Sequence, residues 1–132
     1  MALTVAAASA QAMGAALATD IGSGAIIEIR SGAKPATPET AASGTLLCSI
    51  TISGSFTSTG GVLTAADPAG ANPAASGTAG HFRLKKSGGA AVLDGTVTAS
   101  GGGGDMQLGS TTITTGVPVD LGVPTFTVPT AP

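Results

Sequence analysis

The chain has 132 residues, of which 9% are charged, and its formal net charge is −2. This length predicts a single domain, and the scarcity of basic residues argues against nucleic-acid binding through a positively charged surface. Trp and Tyr are absent and Phe occurs three times, so the chain has almost no aromatic platform on which bases or sugars could stack.

Large apolar side chains are also scarce. Val, Ile, Leu and Phe make up about a fifth of the chain, near the lower edge for a self-sufficient core. A lean core combined with a net charge near zero favours association. The composition therefore predicts a homo-oligomer or a member of a larger assembly, in which neighbouring molecules cover the apolar surface.

Residues 5–20 form the only predicted helix. Apolar side chains recur there on one stripe at helical spacing, namely Ala6, Ala10, Met13, Leu17 and Ile21. Alanine favours a helix, and the glycines that follow end it. Because this helix carries so little charge, we expect it to pack on more than one side. Residues 1–24 are predicted as an N-terminal helix or arm, and residues 25–132 as a β-sandwich within the same single domain.

The N-terminus is not expected to be a signal peptide. The tripeptide Ala8-Ser9-Ala10 resembles a cleavage site, but no Lys or Arg precedes Arg30 and the apolar run is short. No apolar stretch approaches the length of about 18 residues that a membrane-spanning helix needs, so no membrane span is predicted.

After the helix the pattern changes to strands. Ile27 and Ile29 alternate with polar residues and predict a strand near residues 25–31. Residues 31–43 contain two prolines and predict an extended loop. The next run has the clearest period of two in the chain, with one apolar face made of Leu46, Cys48, Ile50 and Ile52. Cys48 has no second cysteine to pair with and is expected to be a small buried apolar residue.

A β-hairpin is predicted farther along the chain. It is preceded by a glycine turn at 60–61, a short strand at 62–65 and a loop at 66–76. The hairpin itself consists of two strands, residues 78–85 and 90–98, joined by a turn at 86–89. His81, Arg83 and Lys85 would share one strand face, on the outer or partner-facing side. Asp94 on the returning strand would lie opposite Arg83 or His81, where a cross-strand ion pair is expected.

The C-terminal third predicts short strands separated by turns. The four glycines at 101–104 indicate a flexible connector or a wide turn, followed by strands at 106–108 and 111–114. Two further strands are predicted by the alternating apolar residues at 117–123 and at 126 and 128. Prolines at 118, 124 and 129 restrict these two strands to sheet edges or bulged positions. The predicted fold class is mainly β, a β-sandwich or jelly-roll-like antiparallel fold with one short N-terminal helix.

No arrangement of residues in the sequence predicts catalysis. The single His and the single Cys are too few and too far apart for a metal site. The acidic residues are scattered singly, without the spacing of a carboxylate pair. The glycine run is not followed by the Lys-Ser or Lys-Thr of a phosphate-binding loop. We therefore predict a non-enzymatic protein without catalytic, cofactor-binding or metal-binding residues.

Five basic side chains from the first strand and the hairpin are candidates for a protein interface that meets an acidic partner surface. They are Arg30, His81, Arg83, Lys85 and Lys86. The alternative is a solvated strand face whose charges protect a sheet edge from wrong pairing.

Several segments, taken in order, resemble a family of small proteins encoded in tailed bacteriophages and prophages, usually among the structural genes. They include Ile27-Glu-Ile-Arg-Ser-Gly32, Gly44-Thr-Leu-Leu-Cys-Ser-Ile-Thr51, Gly60-Gly-Val-Leu-Thr64 and Leu108-Gly-Ser-Thr-Thr-Ile113. The most telling are Thr78-Ala-Gly-His-Phe-Arg83 and, one hairpin later, Asp94-Gly-Thr-Val97. The resemblance runs over most of the chain.

The resemblance implies a component of the virus particle. Within that class we expect a head decoration or cement protein on the capsid surface, bound to the major capsid protein or other virion proteins, without nucleic acid, membrane or cofactor. A tail, baseplate or fibre-associated protein is the alternative within the particle. A surface adhesion or carbohydrate-binding module is the alternative of another class, against which the scarcity of aromatic residues argues.

Overall fold

A computed structural model describes residues 5–66, 68–121 and 125–127. The fold is mainly β and sandwich-like with one N-terminal helix, which confirms the predicted class. The elements in chain order are α1 (Ala7–Ile21), β1 (Ile26–Ser31), β2 (Leu46–Thr51), β3 (Thr57–Thr59), β4 (Val62–Thr64), β5 (Gly77–Lys85), β6 (Ala91–Ala99), β7 (Met106–Leu108), β8 (Thr112–Ile113) and β9 (Thr125–Thr127).

The strands form two sheets. The large sheet has the order β2-β1-β5-β6-β7, and β8 pairs with the beginning of β5. The small sheet has the order β3-β4-β9. All these pairs are antiparallel except β6 with β7, which are parallel. The predicted hairpin is therefore confirmed as β5 and β6, at the centre of the large sheet.

One face of the large sheet forms the core. The register places Ile29 opposite both Cys48 and Phe82, so their side chains point to the same side. Ile27 lies in the same way between Ile50 and Leu84. All are buried and belong to one cluster that continues to the helix and to the small sheet. The alternating patterns of β1, β2 and β5 thus predicted most of this face. The prediction is wrong at Leu46, because the register shifts there: Leu46 lies opposite Arg30, and Leu47 is buried in the core instead.

The helix packs on the β3–β4 hairpin through a narrow stripe. Its buried residues are Ala10, Gly14, Ala18 and Ile21. A Cβ atom on Gly14 would collide with Ser58 in β3, so the glycine allows the two backbones to approach closely. The predicted stripe is wrong for Met13, which is 40% exposed. Gly14, and not Met13, lies at the close contact with β3, where a longer side chain would not fit.

Two strand predictions differ from the structure. Strand β3 was not predicted, because Thr57–Thr59 has no apolar residue to reveal a period of two. Conversely, the alternation at 117–121 does not form a strand: Val119 makes an isolated bridge with Ala71, and Val117 is 60% exposed. Proline at 118 cannot donate to a ladder, which limits pairing there. The predicted positions 123, 124, 128 and 129 lie outside the described residues.

The glycine run joins the parallel strands β6 and β7 through a tight turn. Parallel neighbours usually need a connection of about a dozen residues or more, whereas here residues 100–105 suffice. The backbone N–H of Gly104 donates to Thr98 Oγ1 at 3.0 Å, and the Asp105 carboxylate accepts from the N–H of Thr96 at 2.9 Å. Of the two predicted alternatives, a flexible connector or a turn, the structure shows the turn.

This turn predicts the effect of substituting Gly104. A Cβ atom there would lie 3.0 Å from the backbone nitrogen of Thr98, which strand pairing holds in place. We expect Gly104→Ala to lower the free energy of unfolding by about 1–3 kcal/mol, as overpacking usually does, measured by urea denaturation. The matched control is Gly109→Ala, because a Cβ at Gly109 meets nothing within 4 Å. Equal stability of the two variants would contradict this account of the turn.

Candidate functional site: a charged layer beneath a strap

The second face of the large sheet, opposite the core, carries charged and polar side chains. We call it the polar face and define it by Glu28, Arg30, His81, Arg83, Lys85, Asp94 and Thr96. Successive side chains of a strand point to opposite sides, so residues 81, 83 and 85 share this face, as predicted. In the register Arg83 lies between Glu28 and Asp94.

The connection between β1 and β2 covers part of this face. We call residues 32–44 the strap. The carbonyl oxygen of Gly32 lies 3.1 Å from Nδ1 of His81, and the carbonyl oxygen of Thr40 accepts a hydrogen bond of 2.8 Å from Nη2 of Arg83. A Cβ atom on Gly80 would collide with the carbonyl of Gly32, so glycine at this position lets the strap approach β5.

The strap changes the interpretation of two predicted interface residues. His81 is 0% exposed and Arg83 is 6% exposed. Of the two predicted interpretations, the solvated strand face is therefore wrong for these two side chains, because the chain's own loop covers them. A partner could reach these two side chains only if the strap moved. Arg30, Lys85 and Lys86 are partly exposed, and their role in an interface stays a prediction.

Arg83 and Asp94 form a buried pair, which confirms the predicted cross-strand contact. Nε and Nη2 of Arg83 donate to the two carboxylate oxygens at 2.7 and 2.8 Å. The hydrogen bond from Arg83 holds the pKa of Asp94 below its usual range, although burial opposes this effect. The same hydrogen bond raises the pKa of Arg83. The pair therefore stays ionised at neutral pH and leaves neither charge uncompensated.

Arg30, Lys85 and Lys86 also have partners within the chain. Glu28 accepts from Nε of Arg30 and from Nζ of Lys85, both at 3.3 Å. Lys86 lies beyond the end of β5 and contacts Asp20 at 2.7 Å, at the end of α1. Glu28 was missed as a site residue; its position two residues before Arg30 on the same strand face could have revealed it.

His81 differs from its neighbours. Its Nδ1 contacts the strap, but its Nε2 is buried without a hydrogen-bond partner. Cys48, the only thiol, lies on the core face rather than beside the imidazole. Burial raises the pKa of that thiol, and the prediction of a small buried apolar residue is confirmed. The polar face therefore combines neutralised charges with one incompletely bonded histidine.

Among residues 5–66, 68–121 and 125–127, no group of three or more His, Cys, Asp or Glu side chains is arranged to hold a metal ion. A cleft of about 340 Å³ borders β7 and has Ile27 and Phe82 of the core in its lining, but no side chain of the polar face. Within the same described part of the chain, no helix has the length and hydropathy needed to cross a membrane.

Comparisons with known protein families, with curated proteins and with solved structures each gave no match.

The buried pair predicts a large effect of removing one partner. Replacing Arg83 by Met would leave the Asp94 carboxylate buried, with side-chain exposure of only 3%, and without its hydrogen-bonded counter-charge. We expect Arg83→Met to lower the free energy of unfolding by about 3–5 kcal/mol, measured by urea denaturation. The control Lys86→Met breaks an ion pair at the surface and should cost about 0–1 kcal/mol. Similar losses in the two variants would contradict the importance of burial.

The lowered pKa of Asp94 also predicts a pH dependence. Its contribution to stability is complete above the ordinary Asp pKa of about 3.9 and is lost as the pH falls through the lower folded-state value. We therefore expect the stability gap between wild type and Asp94→Asn to be constant from pH 5 to 8 and to shrink at more acidic pH. Urea denaturation across this range measures the gap, with Asp20→Asn as an exposed control. A gap that widens in acid would disprove the assignment.

Proposed function

We propose that the chain is a non-enzymatic structural component of a tailed-bacteriophage particle, and that it serves as a head decoration or cement protein on the capsid. The class follows from the resemblance of its sequence segments to small phage proteins. The observation that carries the role is the outward surface of α1, which is exposed and almost without charge.

The outward surface of α1 is unusual for a helix in water. Its exposed residues before the last turn are Ala7, Ala8, Ser9, Ala12, Met13, Ala15 and Ala16. The solvent side of a surface helix normally carries charged and polar residues. The first charged residue of α1 is Asp20 near its end, and Lys86 neutralises it. This surface is suited to contact with a neighbouring protein.

The distribution of charge supports close packing of many copies. Four of the five Lys and Arg residues form ion pairs inside the chain. Lys34 is the remaining one. Because a small net charge gives little electrostatic repulsion between molecules, identical copies can lie side by side on a lattice.

A cement protein acts by adding buried contact area between neighbouring capsid subunits. A stable protein interface buries roughly 800 Å² on each partner. A helix of 15 residues is about 22 Å long, so its outward surface would form the centre of such a contact and the adjoining β3–β4 hairpin its border. Each copy would then resist the separation of the subunits that it contacts.

Copy number in purified particles tests this function. We expect quantitative mass spectrometry of virions from the phage or induced prophage that encodes the chain to find about one copy per one to a few major capsid subunits. This expectation follows because a decoration protein covers the lattice. A ratio of a few per cent would support the tail or baseplate alternative instead, and absence from the particle would overturn the proposal.

The same measurement on two variants tests the surface that carries the proposal. Ala12→Lys adds a charge to the outward side of α1 without disfavouring the helix, and should lower incorporation severalfold. Thr114→Lys adds the same charge at an exposed position in the segment after β8 and should leave incorporation unchanged. Equal incorporation of both variants would show that α1 is not the contact surface.

A further inference from the structure

Strand β2 is an outer strand of the large sheet, and part of its edge is open. Along a strand, the backbone N–H and C=O groups of successive residues point alternately to the two sides of the strand. The N–H of Ile52 donates to the carbonyl oxygen of Ala25, just before β1, at 2.8 Å. Ile52 and Ile50 therefore face β1, and the backbone groups of Ser49 and Thr51 point away from the sheet.

These four backbone groups have no hydrogen-bond partner in the part of the chain that the structure describes. Toward the start of β2, the same edge is covered, because the N–H of Ala74 donates to the carbonyl oxygen of Leu47 at 2.7 Å. No such contact reaches Ser49 or Thr51, and both residues are exposed. An open strand edge of this kind is a template for pairing with another chain.

The usual means of protecting an edge are missing at this place. Natural edge strands carry charged residues, prolines or bulges that prevent pairing with another molecule. Residues 40–66 contain neither a charged residue nor a proline. The bulge of β2 lies at Leu47, before the open part of the edge. The basic residues of the polar face belong to β1 and β5, which are inner strands, so they do not protect this edge.

We propose that the open edge is the contact surface for a second copy of the chain, and that two β2 strands pair antiparallel around a two-fold axis at Ile50. This axis places Ser49 of each copy opposite Thr51 of the other. Both residues of such a pair exchange their N–H and C=O groups, as in an antiparallel ladder. All four open groups of each copy are then hydrogen-bonded, and the two large sheets become one continuous sheet.

The edge is complementary to itself in this register. An axis at Ser49 would place Thr51 opposite Leu47 instead. The carbonyl of Leu47 is already occupied by Ala74, so that register would leave backbone groups unpaired. With the axis at Ile50, the facing side chains are Ser and Thr, a combination that is favourable across antiparallel strands. Because neither carries a charge, the two copies do not repel each other along the edge.

The contact is small, which limits its strength. Ile50 is 0% exposed in its own molecule, so pairing covers the backbone edge and small polar side chains and buries little further apolar area. Small interfaces of this kind are weak and transient. We therefore expect monomers in dilute solution and dimers at high local concentration. The edge contains no residue of α1, so this dimer does not depend on the function proposed above.

Sedimentation velocity and amide hydrogen exchange of the full chain test the pairing. We expect a monomer at about 10 μM and mainly a dimer at about 1 mM, which is the range of a weak contact. The protection of the Ser49 and Thr51 amides should rise by about tenfold when about nine-tenths of the molecules are paired, because only the monomer then exchanges. The amide of Ile50, which faces β1 in both states, should not change.

Two double variants at the same positions test the register. Ser49→Lys with Thr51→Lys places lysine opposite lysine in both pairs, and should keep the chain monomeric at about 1 mM, because like charges directly opposite are destabilising. Ser49→Lys with Thr51→Glu places lysine opposite glutamate in the same two pairs and should retain the dimer. Each variant adds two charged side chains at exposed positions, so the two are matched in their effect on the single chain.

Three results would overturn the proposal. One is a wild-type protein that stays monomeric at about 1 mM, a measurement that does not depend on any variant folding. Another is a dimer in which the Ser49 and Thr51 amides gain no protection, since the contact would then lie elsewhere. The third is equal dimerisation of the two double variants, which would contradict the antiparallel pairing around Ile50.

Discussion

Strand β5 is buried on both faces, and the rest of the fold is arranged around that constraint. Toward the core it presents Phe82 and Leu84, which pack against apolar residues of β1 and β2. On the other side it presents His81 and Arg83, which cannot be left unpaired away from water. Both faces must therefore be covered at once, one by apolar packing and the other by ion pairs and backbone carbonyls from the strap. A slip of one residue would put Arg83 into the core and Phe82 under the strap, so the two faces together fix the register of the large sheet.

The buried charged pair of the polar face is compatible with one register of β5 and β6. Bringing a charged pair out of water has a desolvation penalty that can exceed the attraction between the charges. The Arg83–Asp94 pair forms a bidentate hydrogen-bonded contact that only one alignment of β5 with β6 allows. Nη2 of Arg83 also donates to the carbonyl oxygen of Thr40, and this hydrogen bond holds the strap in place. Charge pairing within the sheet and placement of the loop are consequently parts of one hydrogen-bonded arrangement.

The sequence predicted those features that depend on neighbours along the chain. Alternation identified β1, β2, β5 and β6, and the predicted hairpin placed Asp94 opposite Arg83 or His81. It could not predict that the strap returns across the polar face, because the contact from Thr40 to Arg83 spans 43 positions and has no local pattern. Strand β3 lacks apolar residues and is defined by its pairing with β4. The stripe of α1 was misassigned at Met13 for a similar reason, since only the position of Ser58 shows why Gly14 must face the sheet.

The pairing of charges within the chain also determines the character of the outer surface. The chain has few ionisable residues, and most of its cations neutralise carboxylates of the same molecule on or beside the large sheet. Much of the exposed surface of the described residues is alanine, glycine, serine and threonine, and the outward side of α1 before its last turn is an uncharged part of it. A contact between two molecules through such a surface is weak, because each small side chain buries little apolar area. In a lattice the same contact is repeated by many copies, and the resulting multivalency can hold weak individual contacts together. A lean core and a nearly neutral surface are therefore compatible with stability when the functional unit is the assembly rather than the single chain.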